Sequence, residues 1–405
     1  MLATRCARAA NRVRFRCIGG TLALWVLYRV AVQAAERFSV FAFYRDSPQR
    51  RVALSRQPGA PERYVLFGLD QLAERGIRVA HNLDREARPR AWARVAGAGL
   101  QATINGMGGC GGDFTRVLPS LRRANQADVV LSTVDTVGIP LLALTALNLV
   151  HPPIVYVSIG LLPRLAGLET RRIVRAYAHV LRKAAAVVAY GMGEVEELRA
   201  WLGDGRVVFV PFGVDTEHFR PSNGSPEVDV LSVGADPRRE FELLVRVAGR
   251  NPELSFRIVT SREHERTLGP VPRNVGLETE IPFEAMRSRL ESARIVALPV
   301  RENTYSGATT TLLQALACGK PVVASRTAAI TEGYHLRDGE NCRLVEPGDT
   351  AAFEGAIHEL LTDPEGAAAM GVRARMMVER HLSWDRYVDS MHGLLADAAL
   401  LQRRV

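Results

Sequence analysis

The sequence RIVALPVRENTYSGATTTLLQALACGKPVVAS, residues 294–325, contains a complete β-α-β unit. The apolar run that ends at Val300 is typical of a buried parallel strand. A loop rich in Ser, Gly and Thr follows, and the pattern predicts a helix that begins near Thr309 and ends at Gly319, because glycine is common just after a helix C-terminus. The next strand begins at Val322. The segment therefore predicts a parallel α/β sheet.

Hydroxyl and glycine residues gather at the start of this predicted helix. They are Ser306, Gly307, Thr309 and Thr310. Free backbone N–H groups and the helix dipole make such an end a binding site for an anion. Gln314 lies on the same helical face as Thr310, because residues four apart share a face. We therefore expect an anion site here, with the Gln314 amide able to bond hydroxyl groups beside it.

Length and charge narrow the class of protein. The chain has 405 residues, which suggests two domains and a tail. Its net charge is +9, but no acidic residue precedes Glu36 and six arginines do. The body is therefore only mildly basic, which argues against a nucleic-acid-binding protein. The five cysteines are widely spaced with no Cys-x-x-Cys pair. They argue against a disulfide framework or zinc site and favour a reducing, cytoplasmic compartment.

Residues 1–38 form a basic and apolar tail with three open interpretations. The apolar run Cys17–Tyr28 is too short to span a bilayer but has the length of a signal-peptide core. Arginines beside Leu22, Leu24 and Trp25 are also typical of a segment that lies on an anionic membrane surface, here the inner face of the membrane. A mis-assigned start or a disordered extension is the third interpretation.

Strands alternate with helices in two halves of the chain. The first half begins with the predicted strand Ser39–Tyr44 and includes a candidate strand at Gln101–Asn105. The sequence PSNGSP at 221–226 is typical of a linker, after which a helix is predicted at Arg238–Ala248. Such alternation predicts parallel, doubly wound sheets, which bind ligands at the carboxyl ends of their strands. We expect the site in the cleft between the halves.

The segment VPFGVDTEHFRP, residues 210–221, resembles the interdomain signature of the GT-B glycosyltransferases, and specifically of their large retaining family 4 class. The usual signature has Asn where this chain has Phe212. Four further segments resemble motifs of the same family, at residues 316–324 (LACGKPVVA), 338–341 (DGEN), 345–349 (VEPGD) and 381–385 (HLSWD). The similarity covers about residues 39–400.

The resemblance implies an α/β GT-B fold, in which two Rossmann-like doubly wound domains face a central cleft and a C-terminal helix crosses back. Residues 39–220 are then the acceptor-side domain and residues 221–383 the nucleotide-sugar-binding domain. Residues 384–405 form the crossing helix, and residues 1–38 precede the fold.

The same resemblance implies a nucleotide-sugar site at the hydroxyl-rich helix start. Relatives usually carry Glu at the position of Gln314, where it holds the ribose, and Glu at the position of Ser306, where it contacts the donor sugar. This chain lacks both carboxylates. Glu302 lies just upstream and is a candidate substitute.

Two arginines are the candidate phosphate ligands. Gly234 allows a turn after a strand, and Arg238 and Arg239 then open the predicted helix. Cations are unfavourable at a helix N-terminus unless an anion binds nearby, and guanidinium groups grip phosphate well. The family carries an Arg at the position of Ala235 and a Lys at that of Arg239. Arg239 is therefore the better match, with Arg238 as the alternative.

The implied reaction is transfer of a hexose-type sugar from a nucleotide diphosphate to a hydroxyl acceptor, with retention of the anomeric configuration. Arg239, backbone N–H groups near Gly234 and Gly307, and the hydroxyls of Thr309 and Thr310 would stabilise the leaving diphosphate. No metal or cofactor is expected, because the nucleotide sugar is itself the substrate and the sequence has no Asp-x-Asp pair in a suitable loop.

The acceptor side has weaker candidates. Many relatives place a His near the reacting sugar, and this chain has Ile159 there. Ser158, Gly160 and Asp135 are expected at strand ends that face the cleft. Asp135 is the candidate acceptor-side carboxylate or else the cap of the following helix, so the catalytic base stays open. The acceptor is a glycan, a lipid-linked molecule or a small molecule.

Three alternatives remain at this stage. The run Gly106–Gly111 fits a dinucleotide-binding fingerprint, which would indicate an oxidoreductase. A sugar-nucleotide epimerase has two similar domains. The missing pair of Glu residues also fits a catalytically silent partner subunit.

Overall fold

The computed structural model describes residues 38–55, 61–83, 91–106, 112–166, 171–203, 205–222 and 224–402. Residues 1–37 of the tail and residues 107–111 of the glycine-rich run lie outside these ranges. Two parallel sheets of six strands each organise the chain.

The first sheet has the strand order β2-β1-β3-β4-β5-β6. Its strands are β1 (Ser39–Phe43), β2 (Arg78–His81), β3 (Val129–Ser132), β4 (Ile154–Val157), β5 (Ala186–Ala189) and β6 (Val207–Phe209). The helices of this domain are α1 (Pro48–Ser55), α2 (Leu69–Glu74), α3 (Ala91–Gly106), α4 (Phe114–Val117), α5 (Leu121–Ala124), α6 (Asp135–Ala146), α7 (Leu161–Leu165), α8 (Arg171–Leu181) and α9 (Met192–Leu202). Every residue of β3, β4 and β5 is buried, because helices cover both faces of the sheet.

The second sheet has the order β12-β11-β10-β7-β8-β9. Its strands are β7 (Val228–Val233), β8 (Phe256–Thr260), β9 (Val275–Thr279), β10 (Ala293–Leu298), β11 (Val322–Ser325) and β12 (Arg343–Val345). The helices of this domain are α10 (Phe241–Arg250), α11 (Arg262–Leu268), α12 (Phe283–Glu291), α13 (Thr309–Ala317), α14 (Thr350–Thr362) and α15 (Pro364–His381). Both sheets are doubly wound, as the sequence predicts.

The last helix, α16 (Trp384–Gln402), returns to the first domain. It packs on β3, β4 and α2. The Trp384 and Tyr387 rings stack with centroids 4.8 Å apart, and the Tyr387 hydroxyl lies 3.0 Å from that of Tyr190. The last helix therefore completes the core of the first domain, and the predicted crossing helix is confirmed.

Two predictions about individual elements are wrong. The candidate strand Gln101–Asn105 lies within α3, a segment rich in alanine, the strongest helix former. Because a helix and not a strand leads into Gly106, the dinucleotide-fingerprint interpretation loses the strand that it requires. The helix predicted from Arg238 begins only at Phe241.

Backbone pairing between the domain's two cleft-side loops explains the late start of α10. The Glu240 N–H donates to the Pro299 carbonyl at 2.9 Å, and the Arg301 N–H donates to the Arg238 carbonyl at 2.9 Å. The two arginines of the sequence analysis thus precede the helix, and the argument from an unfavourable helix dipole does not apply to them.

Candidate active site in the interdomain cleft

The two domains touch across the cleft through the loop that precedes α13. The Glu194 N–H, at the start of α9, donates to the Thr304 carbonyl at 2.9 Å. The Gly193 N–H donates to the Ala328 carbonyl at 3.2 Å. Hydrogen bonds between backbone groups therefore join the first domain to the loops that carry the predicted donor site.

The helix α13 begins at Thr309, as predicted, and no side chain of the described residues caps its N-terminus. Thr309 is buried, and Ser306 and Gly307 are half-buried in the preceding loop. This combination matches the N-terminal environment that favours anion binding.

Arg239 is the most unusual residue near this helix start. Its side chain is 2% exposed, and its Nη2 donates to the Ser232 hydroxyl at 2.7 Å. The Nε and Nη1 atoms have no hydrogen-bond partner among the described residues. Burial lowers the pKa of the guanidinium to about 10, an effect that the nearby Asp236 partly offsets. A buried guanidinium with two unused donors is arranged to receive an anion.

Gly234 lets this guanidinium approach the backbone. Its φ is +157°, and a Cβ atom there would lie 3.2 Å from Nε of Arg239. The neighbouring Arg238 is exposed and lies in the turn before α10. The structure therefore distinguishes the two candidate arginines, because the Arg239 side chain is buried and the Arg238 side chain is exposed.

An aspartate that the sequence analysis did not select lies across the same loops. The hydroxyl of Tyr305 donates to both carboxylate oxygens of Asp236, at 3.1 and 3.2 Å. A Cβ atom on Gly307 would meet the Oδ2 atom of this carboxylate at 2.5 Å. Asp236 therefore lies directly on Gly307, between the arginine loop and the start of α13.

Gln314 and Thr310 share one helical face, as expected. Together they line a small cleft against Tyr64 and the interdomain loop that contains Phe212 and Asp215. Gln314 itself is 4% exposed. The structure thus places the Gln314 amide where α13 meets the connection between the domains.

Glu302, the candidate substitute for the two missing carboxylates, is bonded to the backbone of neighbouring loops. Its Oε1 accepts hydrogen bonds from the backbone N–H groups of Asn303 and Ala328, both at 3.0 Å. Its carboxylate is therefore engaged in holding two loops together.

On the acceptor side, Asp135 is the first residue of α6 but does not cap that helix. Its Oδ1 accepts hydrogen bonds from the Tyr156 hydroxyl and, at 3.4 Å, from the Ile159 N–H. Its Oδ2 lies 3.4 Å from Nη1 of Arg164. Burial raises the pKa of this carboxyl to about 6.

A second buried carboxylate, Glu194, lies beside it. Its Oε1 accepts hydrogen bonds from the Ser158 hydroxyl at 2.6 Å and from the Gly160 N–H at 3.1 Å. Burial, with a further contribution from the charge of Asp135, raises its pKa to about 7. The sequence analysis missed this role, because a Glu in the first turn of a helix is an ordinary stabilising charge.

The predicted acceptor residues Ser158 and Gly160 therefore lie in one loop held between two carboxylates. Tyr305 connects this loop to the donor side, since a Cβ on Gly160, whose φ is +67°, would lie 3.2 Å from the Tyr305 ring. The structure brings together the acceptor candidates and the donor loops around this ring.

Comparison with known proteins places the second domain in a family. A family model described as "Glycosyl transferases group 1" matches residues 230–363. The C-terminal domain is a group 1 glycosyltransferase domain. This match confirms the resemblance seen in the sequence, and the glycosyltransferase domain carries Arg239, Asp236 and the start of α13.

Curated relatives match parts of the chain. A GDP-mannose-dependent alpha-(1-6)-phosphatidylinositol monomannoside mannosyltransferase of Mycolicibacterium smegmatis is 29% identical over 201 residues, which cover 43% of this chain and 52% of the relative. A D-inositol 3-phosphate glycosyltransferase of Acidothermus cellulolyticus is 31% identical over 231 residues, 49% of each chain. The chain thus spans about half the length of the curated relatives it matches.

Solved structures agree with the whole architecture. Sucrose-phosphate synthase from Thermosynechococcus elongatus has a TM-score of 0.68 at 17% identity and covers 90% of this chain and 100% of its own. Anabaena HepE in complex with UDP-glucose has a TM-score of 0.64 at 14% identity, and the match covers 89% of this chain and 100% of HepE. The GT-B fold is confirmed. Among the residues described, no helix is both long and apolar enough to cross a bilayer.

Proposed function

We propose that this protein is a retaining glycosyltransferase that moves a sugar from a nucleotide diphosphate to a hydroxyl acceptor, without a metal ion. The observation that carries the proposal is the buried guanidinium of Arg239, whose Nε and Nη1 have no partner among the described residues. The cost of burying an unpaired cation is offset when an anion binds to it. A diphosphate is an anion of suitable charge and geometry.

The leaving group accumulates negative charge as the glycosidic bond breaks. Arg239 would stabilise this charge from one side, and the uncapped N-terminus of α13 from the other. The relatives support a nucleotide-sugar donor, since one is named as GDP-mannose-dependent and HepE was solved with UDP-glucose. Gln314 would then bond hydroxyls of the ribose.

The acceptor would bind on the first domain, beside the loop that contains Ser158 and Gly160. Asp135 and Glu194 supply the buried carboxylates there. With a pKa of about 6, Asp135 is largely ionised at pH 7 and can accept a proton from an acceptor hydroxyl. Names of relatives that act on phosphatidylinositol mannosides or inositol phosphate favour a polyol or lipid-linked acceptor. A cytoplasmic location with peripheral membrane contact fits such an acceptor.

Calorimetric titration with UDP, GDP, ADP and TDP tests the donor site. We expect one nucleotide to bind the wild-type protein, and Arg239→Ala to weaken its binding and to lower turnover at least about tenfold. Arg238→Ala is the matched control, because that side chain is exposed, and we expect a smaller effect. No binding of any nucleoside diphosphate or nucleotide sugar to the folded protein would refute the proposal.

Product analysis separates the alternatives. NMR of the product in buffer containing EDTA should show transfer with the anomeric configuration of the donor. A silent partner subunit would bind the donor without transferring or hydrolysing it, and an epimerase would interconvert free nucleotide sugars.

A further inference from the structure

The Asp236 carboxylate occupies a defined place between the two donor loops. It comes from the loop between β7 and α10, and its Oδ1 accepts a hydrogen bond from the Arg238 N–H at 2.8 Å. Its two oxygens would lie 2.5 and 2.7 Å from a Cβ on Gly307, so that only glycine leaves room for it there. The side chain is half-buried, and its position therefore depends on the fold of both loops.

Tyr305 holds this carboxylate from the opposite loop. Its hydroxyl donates to both oxygens, at 3.1 and 3.2 Å. Burial and the charge of Asp236 raise the pKa of the phenol to about 12, so that it stays a donor throughout the physiological range. The Tyr305 ring packs against Gly160 of the first domain. Asp236 is therefore positioned on the donor side of the cleft, one side chain away from the acceptor loop.

A carboxylate at this place cannot bind phosphate directly, because two negative groups in contact repel each other. Its oxygens accept hydrogen bonds from the Tyr305 hydroxyl and the Arg238 backbone N–H, and no Arg or Lys side chain forms an ion pair with it among the residues that the structure covers. An ionised carboxylate accepts hydrogen bonds only, and a sugar offers several hydroxyl donors. The sugar half of a nucleotide sugar is therefore the part of the donor that suits Asp236.

We propose that Asp236, oriented by Tyr305, binds hydroxyl groups of the donor sugar and so determines sugar specificity. The inference rests on the proposed function, since it places the diphosphate at Arg239 and the sugar beside it. The sugar then lies between the diphosphate and the loop at Ser158–Gly160, where an acceptor hydroxyl would approach. In this arrangement Asp236 acts on the sugar, while Arg239 acts on the leaving group.

The test compares a nucleotide sugar with its own nucleoside diphosphate. Affinities for GDP-mannose and GDP, and for UDP-glucose and UDP, are measured by calorimetry on the full chain. Asp236→Asn should weaken binding of the preferred nucleotide sugar about tenfold and leave binding of the diphosphate within about twofold, because only the sugar loses a charged acceptor. Tyr305→Phe should weaken binding of the nucleotide sugar about threefold and leave binding of the diphosphate unchanged.

Glu263→Gln, on the exposed surface of α11, is the control and should change neither affinity. Equal effects of Asp236→Asn on both ligands, or no effect on either, would overturn the inference. Tighter diphosphate binding in that variant would also overturn it, because the carboxylate would then compete with phosphate. Thermal unfolding establishes whether each variant folds. If Asp236→Asn does not fold, the selective effect of Tyr305→Phe decides the question. A folded wild-type protein that binds none of the four probes, and neither ADP nor TDP nor their nucleotide sugars, would refute the proposed function itself, which is a different outcome.

Discussion

Three ionisable side chains near the cleft are buried at a cost to stability. Two donors of Arg239 have no hydrogen-bond partner among the described residues, and Asp135 and Glu194 have raised pKa values because burial disfavours their charged forms. Ionisable groups perturbed in this way concentrate at functional sites. At these three residues, the requirements of stability and of the proposed activity therefore oppose each other.

Replacing Arg239 by methionine tests this opposition. Met fills much of the same space without a charge, and buried ionic groups are often neutral or destabilising relative to well-packed apolar ones. We expect Arg239→Met to raise the free energy of unfolding of the ligand-free protein by about 1–2 kcal/mol while donor binding is lost. Urea denaturation monitored by circular dichroism gives the first quantity and calorimetry the second. A less stable variant would mean that Arg239 is mainly a structural residue.

The carboxyl of Glu194 predicts a pH dependence of stability. Its pKa is about 7 in the folded chain against 4.5 in the unfolded chain. The folded state therefore holds the proton more tightly, and stability falls as the pH rises from about 4.5 to 7. The glutamine of Glu194→Gln cannot ionise. Between pH 5 and pH 8 we therefore expect the free energy of unfolding to fall by about 2 kcal/mol less in this variant than in the wild type.

Urea midpoints at a series of pH values measure this difference. Glu196→Gln is the matched control, since Glu196 is exposed on the same helix and should retain the wild-type dependence. Identical pH profiles for wild type and Glu194→Gln would show that the Glu194 carboxyl is not perturbed by burial.

At the scale of elements, the packing of α15 against the end of α13 supports the donor site from behind. Gly371 in α15 touches the Gly319 carbonyl so closely that a Cβ would lie 2.0 Å from its oxygen. Gly319 itself has a φ of +67° and ends α13. Because α13 is a rigid helix, this close approach at its C-terminal end also helps to position its first residue, Thr309, ten residues earlier.

Gly371→Ala should therefore destabilise the protein by about 2–3 kcal/mol, because the neighbouring atom is backbone and cannot move aside. Gly355→Ala provides the contrast, since Gly355 is exposed within α14 and a Cβ there meets nothing within 4 Å. That change should stabilise by about 0.5–1 kcal/mol through helix propensity. Thermal unfolding of both variants measures the two effects, and effects of the same sign would contradict the packing argument.

At the scale of the whole molecule, α16 makes each domain depend on the other. It follows the glycosyltransferase domain in sequence but packs in the core of the first domain, where Trp384 and Tyr387 contact Phe212. Tyr334 of the second domain donates to the Tyr190 carbonyl of the first at 2.6 Å. The relation between the two halves of the cleft is therefore set by buried contacts as well as by the connecting segment.

Truncation before Trp384 should unfold the first domain. Removal of α16 exposes the aromatic cluster and takes away the ring of His392, which stacks on Phe38 at 5.8 Å. We expect loss of near-ultraviolet circular dichroism and strong binding of a hydrophobic dye, as large apolar surfaces become exposed. Ser390→Ala is the control and should unfold as the wild type does, because the Ser390 hydroxyl donates to the Arg386 carbonyl of its own helix and, in the part of the chain that the structure describes, to no other element. A truncated chain with native spectra would contradict this dependence.

Much of the donor side was predictable because its signals are local. The apolar run before Val300, the hydroxyls at Thr309 and Thr310, and the glycine at 319 fall within one continuous segment, and helical periodicity alone puts Gln314 on the face of Thr310. The motifs of residues 210–221 and 316–324 indicated the family and the GT-B fold without any structure. The late start of α10 was not predictable, because it depends on backbone pairing with residues 299–301.

The amino-acid sequence by itself determined the alternation of strands and helices, the family and the identity of Arg239 as the phosphate candidate. Only the tertiary structure decided that Arg239 is buried with two donors that lack a partner within the described part of the chain, and that Asp236 meets Tyr305 across 69 residues of sequence. The same holds for Glu194 and Asp135, which bind one loop from two different helices. The physical reason is range: periodicity and turn chemistry act between neighbours along the chain. Burial and side-chain pairing instead arise between segments that the fold brings together.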